Sequence, residues 1–172
     1  GDELTSAGHQ VDVVRIDESN GVFTDTIPTT ILGGRGNDNL AGGSGAETLR
    51  GGTFDCNATP DIVPTLAAIA PLADSDVEIV NVANLRVKES DRLATVTSEL
   101  RALGATVEER PDSLLIHPGW SDAPAIVETH NDHRIAMAFA IAGLARGNVT
   151  IAKEQVVSKS YPRFWRSLDE VL

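Results

Sequence analysis

The spacing of apolar positions changes character near residue 52. Between His9 and Leu32, Val11, Val13 and Phe23 stand among Thr, Asp and Ile with no long helical period, which predicts β structure. Beyond residue 52, strand-like and helix-like stretches alternate. Residues 53–57 read as a strand. Thr59 is placed to cap a helix with Pro60 at its first position, opening an apolar segment that runs to Ala73. Residues 77–82 read as a buried strand. Ser90 then caps a helix over 91–103, where Leu93, Val96, Leu100 and Leu103 share one face and Gly104 ends the run. Short strands follow at 105–108 and 114–117, then a helix of small residues at 132–145, a strand at 148–152 and an amphipathic helix at 162–172. From residue 77 the order is β-α-β-β-α-β with a closing helix, an α/β arrangement with strands on one side of paired helices.

The glycines divide the chain. Eight of the 15 fall between Gly33 and Gly52. There Gly33-Gly34-Arg35-Gly36-Asn37-Asp38-Asn39-Leu40-Ala41 is followed at once by Gly42-Gly43-Ser44-Gly45-Ala46-Glu47-Thr48-Leu49-Arg50, and then by Gly51-Gly52. Paired glycines and a leucine recurring at a nine-residue period mark an internal repeat. Glycines permit the tight turns, the leucine would point inward from a short strand, and the acid at Asp38 could bind calcium together with backbone carbonyls. The same residues also read as a flexible Gly-rich loop ahead of the strand at 53. Two regions are expected: a β-rich segment over 1–52, with the repeat at 33–52, and an α/β segment over 53–172.

Composition narrows the function classes. At 172 residues and 41% hydrophobic, the chain suits one domain or one and a half, with enough apolar residues for a core. A net charge of −11 argues against a general nucleic-acid binder. No apolar run approaches the ~18 residues of a membrane span. Gly1-Asp2-Glu3-Leu4 is acidic and has no apolar stretch, so no signal peptide is expected, and the absence of an initiator Met suggests a cut chain. One cysteine, Cys56, excludes an internal disulfide and a Cys-based zinc site and favours the cytoplasm. Residues 1–80 hold 3 basic against 13 acidic residues, and residues 81–172 hold 11 against 12. Cations able to hold an anionic ligand therefore lie mostly in the second half.

Two clusters carry those cations. Within Asn84-Leu85-Arg86-Val87-Lys88-Glu89-Ser90-Asp91-Arg92-Leu93, Lys88 and Arg92 stand near a helix N-terminus, where the macrodipole disfavours positive charge. An anion between them would turn that liability into a site, because backbone N–H groups point there too. A solvated helix start, with Glu89 and Asp91 neutralising the cations, explains the same residues. In Asn131-Asp132-His133-Arg134, Arg134 is again misplaced unless it faces an anion, and His133 could move protons near neutral pH. Asn131 as a cap, His133 as packing and Arg134 paired to Asp132 is the blander alternative. Lys159 precedes the last helix, and Asp61 is comfortable in a helix's first turn without any function. No Ser-His-Asp, zinc-helix or phosphate-loop motif occurs.

These segments together resemble one family, the 5-enolpyruvylshikimate-3-phosphate synthases. The resemblance is carried by residues 84–93 as quoted, by Asn131-Asp132-His133-Arg134-Ile135-Ala136-Met137, by Ser158-Lys159-Ser160-Tyr161-Pro162, and by Thr59-Pro60-Asp61-Ile62-Val63-Pro64-Thr65. They stand in the family's order and at its spacing, over roughly residues 52–172. The resemblance implies repeated βαββαβ units of an inside-out α/β barrel. It implies transfer of the enolpyruvyl group from phosphoenolpyruvate to the 5-hydroxyl of shikimate 3-phosphate, with release of phosphate, in aromatic amino acid biosynthesis. By resemblance, Asn84 and Lys88 hold shikimate 3-phosphate, and Arg92, Arg134 and Lys159 hold phosphoenolpyruvate. Asp61 takes the hydroxyl proton, Glu89 helps move a proton at the methylene carbon or the tetrahedral intermediate, and His133 supports that step. No cofactor is implied for catalysis. Members of the family are longer and close two domains over the substrates, so a missing N-terminal domain or a complementing chain is expected as partner.

The repeat, for its part, resembles the calcium-binding nonapeptide β-roll of RTX proteins, with Glu47 where a second aspartate belongs. That implies calcium at Asp38. A competing expectation is a non-catalytic calcium-binding module on a synthase-like scaffold. The sister enolpyruvyl transferase that acts on a UDP-sugar shares the fold type, but residues 88–92 and 131–134 fit the shikimate enzyme better.

Overall fold

The structure, a computed structural model, describes residues 49–170 and, ahead of them, the backbone of short strands β1 (Glu3–Thr5), β2 (Val13–Arg15), β3 (Thr29–Leu32), β4 (Asn39–Ala41) and β5 (Glu47–Leu49). Pairing among these strands is parallel and alternate, β1-β3-β5 in one sheet and β2-β4 in another. Thr30 lies opposite Thr48 and Ile31 opposite Leu49, a separation of two nine-residue repeat units. Leu40 falls on β4 and Leu49 on β5, and Leu49 packs against the core that follows. Asp38 lies outside the described residues.

The joint to the next strand is tight. A Cβ on Gly51 would come within 2.2 Å of the Ser75 carbonyl oxygen, so only glycine fits. Gly52 N–H donates to Asp76 O and Asp74 N–H to Leu49 O, each at 2.8 Å. Strand β6 (Gly52–Asp55) then runs parallel to β7 (Val77–Val80). Parallel neighbours need a crossover. It is supplied by a 3-10 turn (Pro60–Ile62), helix α1 (Val63–Ile69) and a second 3-10 turn (Ala70–Leu72). The single helix expected from Thr59 to Ala73 is broken in this way because Pro60, Pro64 and Pro71 lack N–H donors, and Thr59 makes no side-chain cap.

Helix α2 (Arg92–Ala102) follows β7, and β8 (Val107–Glu109) and β9 (Leu114–Ile116) return as a hairpin. The sheet order is β6-β7-β9-β8, with β9 antiparallel to both neighbours. The α2 cap is Asp91 rather than Ser90; its carboxylate accepts the Ala94 N–H at 3.1 Å. A strand absent from the sequence-based expectation, β10 (Ala125–Glu128), pairs in parallel with β11 (Val149–Ala152) across helix α3 (His133–Arg146). The closing helix α4 (Phe164–Asp169) is shorter than the periodicity predicts.

Alternation on β7 turns Val77 and Ile79 inward, where they meet Leu114 and Ile116 of β9. Above them pack Val63 and Ala67 of α1, Leu93, Val96 and Leu100 of α2, and Ile135 and Phe139 of α3. The alanines of α1 and α3 let these helices approach closely, so the N-termini of α2 and α3 open at one edge of a dense core.

Candidate active site

Three chain segments meet at that edge. The turn Pro60–Ile62 brings Asp61, the stretch before α2 brings Glu89 and ends in Arg92, and the loop before α3 brings Asp132, His133 and Arg134. Arg92 is the centre of the group and is only 1% exposed. Its Nε donates to Asp132 Oδ2 at 2.7 Å, its Nη1 to Asp61 Oδ1 at 3.0 Å and its Nη2 to Glu89 Oε2 at 2.6 Å. Burial opposes the Arg92 charge. The Asp132 hydrogen bond and the charges of Asp132, Glu89 and Asp61 outweigh burial and raise the guanidinium pKa above its ordinary value.

Asp132 is fully buried and caps α3 by accepting the Arg134 N–H at 2.9 Å. Burial pushes its carboxyl up, but the hydrogen bonds from Arg92 and the Arg134 N–H hold it below the usual carboxylate value. Arg134 in turn crosses to Asp61: Nη2 donates to Oδ2 at 3.0 Å and Nη1 to the backbone oxygen at 3.3 Å. Asp61 therefore bridges two guanidinium groups. His133 opens α3 half-buried, and its Nδ1 is enclosed with no partner among the described residues. Burial first, then the positive charges of Lys159 and Arg134, lower its pKa, against the opposing pull of Asp132 and Glu89.

Lys159 ends the 3-10 turn Glu154–Lys159, and its Nζ donates to Asn131 O at 3.3 Å. Trp165 holds that turn by donating from Nε1 to Glu154 O at 3.1 Å, with Tyr161, Phe164 and Trp165 in successive edge-to-face contact. Among the described residues Lys88 and Asn84 take no part in the ion-paired group. Asn84 sits on the 3-10 turn Ala83–Val87 and lines an open cavity of about 420 Å³ with Asn57, Asn81, Ala83 and Asp112. Arg86 anchors this turn by donating to Pro111 O at 2.8 Å, to Arg110 O at 2.7 Å and to Glu109 Oε1 at 2.8 Å. Among the described residues Lys88 forms no ion pair, and it is exposed immediately before Glu89.

Four expected site residues, Asp61, Glu89, Arg92 and Arg134, are thus in direct contact, with His133 and Lys159 at their side. Parts of the bland alternatives are also present. Glu89 does neutralise Arg92, and Asp91 pairs with Arg86 at 3.0 Å. The Arg134 guanidinium, however, pairs with Asp61 and not with Asp132, and Asp132, not Asn131, is the cap. Asp132, at the centre of this group, is not among the site residues expected from the sequence. Its signal was an acid directly ahead of a helix whose first turn carries cations. The guanidinium groups of Arg92 and Arg134 and the Lys159 ammonium are of the chemical kind that holds carboxylates and phosphates.

Comparison with known proteins places the chain in a family. Residues 30–168 match the family model described as EPSP synthase (3-phosphoshikimate 1-carboxyvinyltransferase). The match takes in the glycine-rich stretch at 33–52. A 3-phosphoshikimate 1-carboxyvinyltransferase of Syntrophobacter fumaroxidans is 50% identical over 124 residues, covering 72% of this chain and 29% of that protein. The one from Methanosphaerula palustris is 48% identical over 122 residues, covering 71% and 29%. The chain thus spans about three tenths of the length of the curated relatives it matches. The solved EPSP synthase of Acinetobacter baumannii superposes with a TM-score of 0.64 at 29% identity, over 73% of this chain and 31% of that one. The α/β architecture agrees with the enolpyruvyl transferase fold, and the chain belongs to the EPSP synthase (3-phosphoshikimate 1-carboxyvinyltransferase) family.

Proposed function

We propose that this chain supplies part of an active site that transfers the enolpyruvyl group of phosphoenolpyruvate to the 5-hydroxyl of shikimate 3-phosphate and releases phosphate. The observation that carries the reading is the convergence of Arg92 and Arg134 on Asp61, each at 3.0 Å. A carboxylate already fills the place where an anionic substrate would sit, beside the cations that would hold it. Phosphoenolpyruvate would displace Asp61 from these arginines and take Lys159 as a further partner, while Asn84 and Lys88 hold shikimate 3-phosphate. Asp61, released, takes the proton of the 5-hydroxyl as its oxygen bonds to the central carbon of phosphoenolpyruvate. The methylene carbon gains a proton in that step and loses one as phosphate departs, with Glu89 as the carrier and neutral His133 in support. General acid–base help of this kind is typically worth ~10²–10⁴ in rate.

The reading needs no cofactor, no nucleic acid and no membrane, and it places the reaction in the cytoplasm. It puts the remaining substrate contacts on a further domain or a complementing chain, whose closure would exclude water and align the reactants. The test is phosphate release from both substrates by the purified chain, alone and with a complementing N-terminal part, with calcium present. Release that needs both substrates and disappears in Lys88→Ala or Arg134→Ala supports the reading. Absence of release and of binding under both conditions removes it.

A second reading concerns the glycine repeat: calcium held at Asp38 in a β-roll, with the synthase-like part as a scaffold. The alternate parallel pairing of β1 to β5 and the two-unit register of β3 with β5 favour it. Circular dichroism with and without calcium decides, and a spectrum that calcium leaves unchanged sinks it.

A further inference from the structure

Glu99 is out of place on the inner face of α2. It stands three residues after Val96 and four before Leu103, among side chains that build the core, and is 3% exposed. A buried carboxylate requires partners, and both of its oxygens have them. Oε2 accepts the Glu128 N–H at 2.9 Å, and Oε1 lies 2.7 Å from His130 Nε2. A carboxylate accepts, so the Nε2–H of His130 donates. Glu99 thereby grips the chain on both sides of Thr129.

The residues it grips lead into strained backbone. His130 and Asn131 are both left-handed, with φ of 50° and 59°. Non-glycine residues persist there only where their surroundings over-determine them. The Asp132 N–H closes the turn onto Thr129 O at 2.8 Å, and the next residues are His133 and Arg134. The Asn131 carbonyl that the turn exposes is the acceptor for Lys159 Nζ. Three groups of the candidate site therefore depend on a turn that Glu99 braces without touching any of the three.

We propose that Glu99 is a positioning residue. Its buried carboxylate holds His130 and Asn131 left-handed and so sets where His133, Arg134 and Lys159 stand. The proposal rests on the roles given to those three under Proposed function. It separates the two substrates: Arg134 and Lys159 face phosphoenolpyruvate, whereas Asn84 and Lys88, on another turn, face shikimate 3-phosphate.

The test compares the chain with its Glu99→Gln, Glu99→Gln/His130→Gly and Arg134→Ala variants. Backbone chemical shifts and couplings of residues 129–134 are read without ligand, and affinities are measured for phosphoenolpyruvate and for shikimate 3-phosphate. In Glu99→Gln, residues 130 and 131 leave the left-handed region. Phosphoenolpyruvate binding then weakens about tenfold while shikimate 3-phosphate binding stays within about twofold. Adding His130→Gly recovers phosphoenolpyruvate affinity, because glycine takes the left-handed conformation without a side-chain clash. The proposal is overturned if residues 130 and 131 stay left-handed in Glu99→Gln, or if both ligands weaken in step with a lost folded fraction. Loss of phosphoenolpyruvate binding in Arg134→Ala but not in Glu99→Gln removes the Glu99 role alone. Binding that survives Arg134→Ala removes the site assignment and this proposal with it. The backbone measurement decides even where the chain binds neither substrate by itself.

Discussion

Arg134 Nη2 donates to Asp61 Oδ2 at 3.0 Å, joining the first turn of α3 to the 3-10 turn before α1. The proposed base is thus engaged by a cation that, in the proposed function, would also hold the incoming anion. In the proposed function Asp61 and the anion would compete for the guanidinium groups of Arg92 and Arg134, each 3.0 Å from the half-exposed Asp61 carboxylate.

The competition has a readable sign. Asp61→Asn keeps the side-chain size but removes the charge, so inorganic phosphate should bind this variant several-fold more tightly than the parent chain. Turnover should fall by about 10²-fold or more if Asp61 is the base proposed above. Titration with phosphate by calorimetry checks the first part. Weaker phosphate binding in the variant contradicts the competition.

Arg92 is a different case, because its partner Asp132 has no access to water. Arg92→Met leaves that buried carboxylate without its charged partner, the Arg134 N–H and the Ser90 hydroxyl still donating to it, a change that costs about 3–5 kcal/mol in comparable sites. Urea denaturation should show the loss. The double variant Arg92→Met/Asp132→Asn should recover part of it, because the stranded charge is removed as well. A double variant no more stable than Arg92→Met speaks against a stranded Asp132 charge.

Acid sensitivity follows from the same carboxylate. The folded pKa of Asp132 lies below its ordinary value of 3.8, so its contribution is whole above that pH. As pH falls from there through the folded value, the contribution is lost. His133 acts at higher pH. Its folded pKa lies below 6.5, so the unfolded chain takes up a proton first, and stability falls as pH drops from 6.5 toward the folded value. Denaturation midpoints against pH should flatten just below 6.5 in His133→Gln, and near and below 3.8 in Asp132→Asn.

Cys56 provides an independent report on folding. The thiol is buried, and burial together with the Asp55 charge raises its pKa to about 11. Thiolate is scarce at neutral pH, so alkylation of the folded chain should be slow and should quicken sharply in denaturant. Rapid labelling of the native chain would show that the end of β6 opens.

Some of this organisation is local, and local order is legible in a sequence. The leucine face of α2, the strand at β7 and the glycine after Leu103 follow from spacing and from turn chemistry alone. The repeat between Gly33 and Gly52 and the segments around Lys88, Arg134 and Lys159 are visible in the same way. Strand β10 was not, because Ala125-Ile126-Val127-Glu128 is too short to show a period and exists by pairing with β11. The broken helix at Pro60–Leu72 and the shift of two caps by one residue are decided by which N–H groups find acceptors.

The sequence by itself determined which residues carry charge, in what order they come and which family they belong to. Only the tertiary structure decided which charges meet. Asp61, Arg92 and Asp132 are separated by 31 and 40 residues along the chain, yet lie within hydrogen-bond distance. No rule of spacing assigns partners across such intervals, because they are set by where the packing of α1, α2 and α3 leaves three helix starts side by side. Burial then does the rest. A charged group withdrawn from water must find opposite charge, and the partner it finds depends on what the fold has placed within reach.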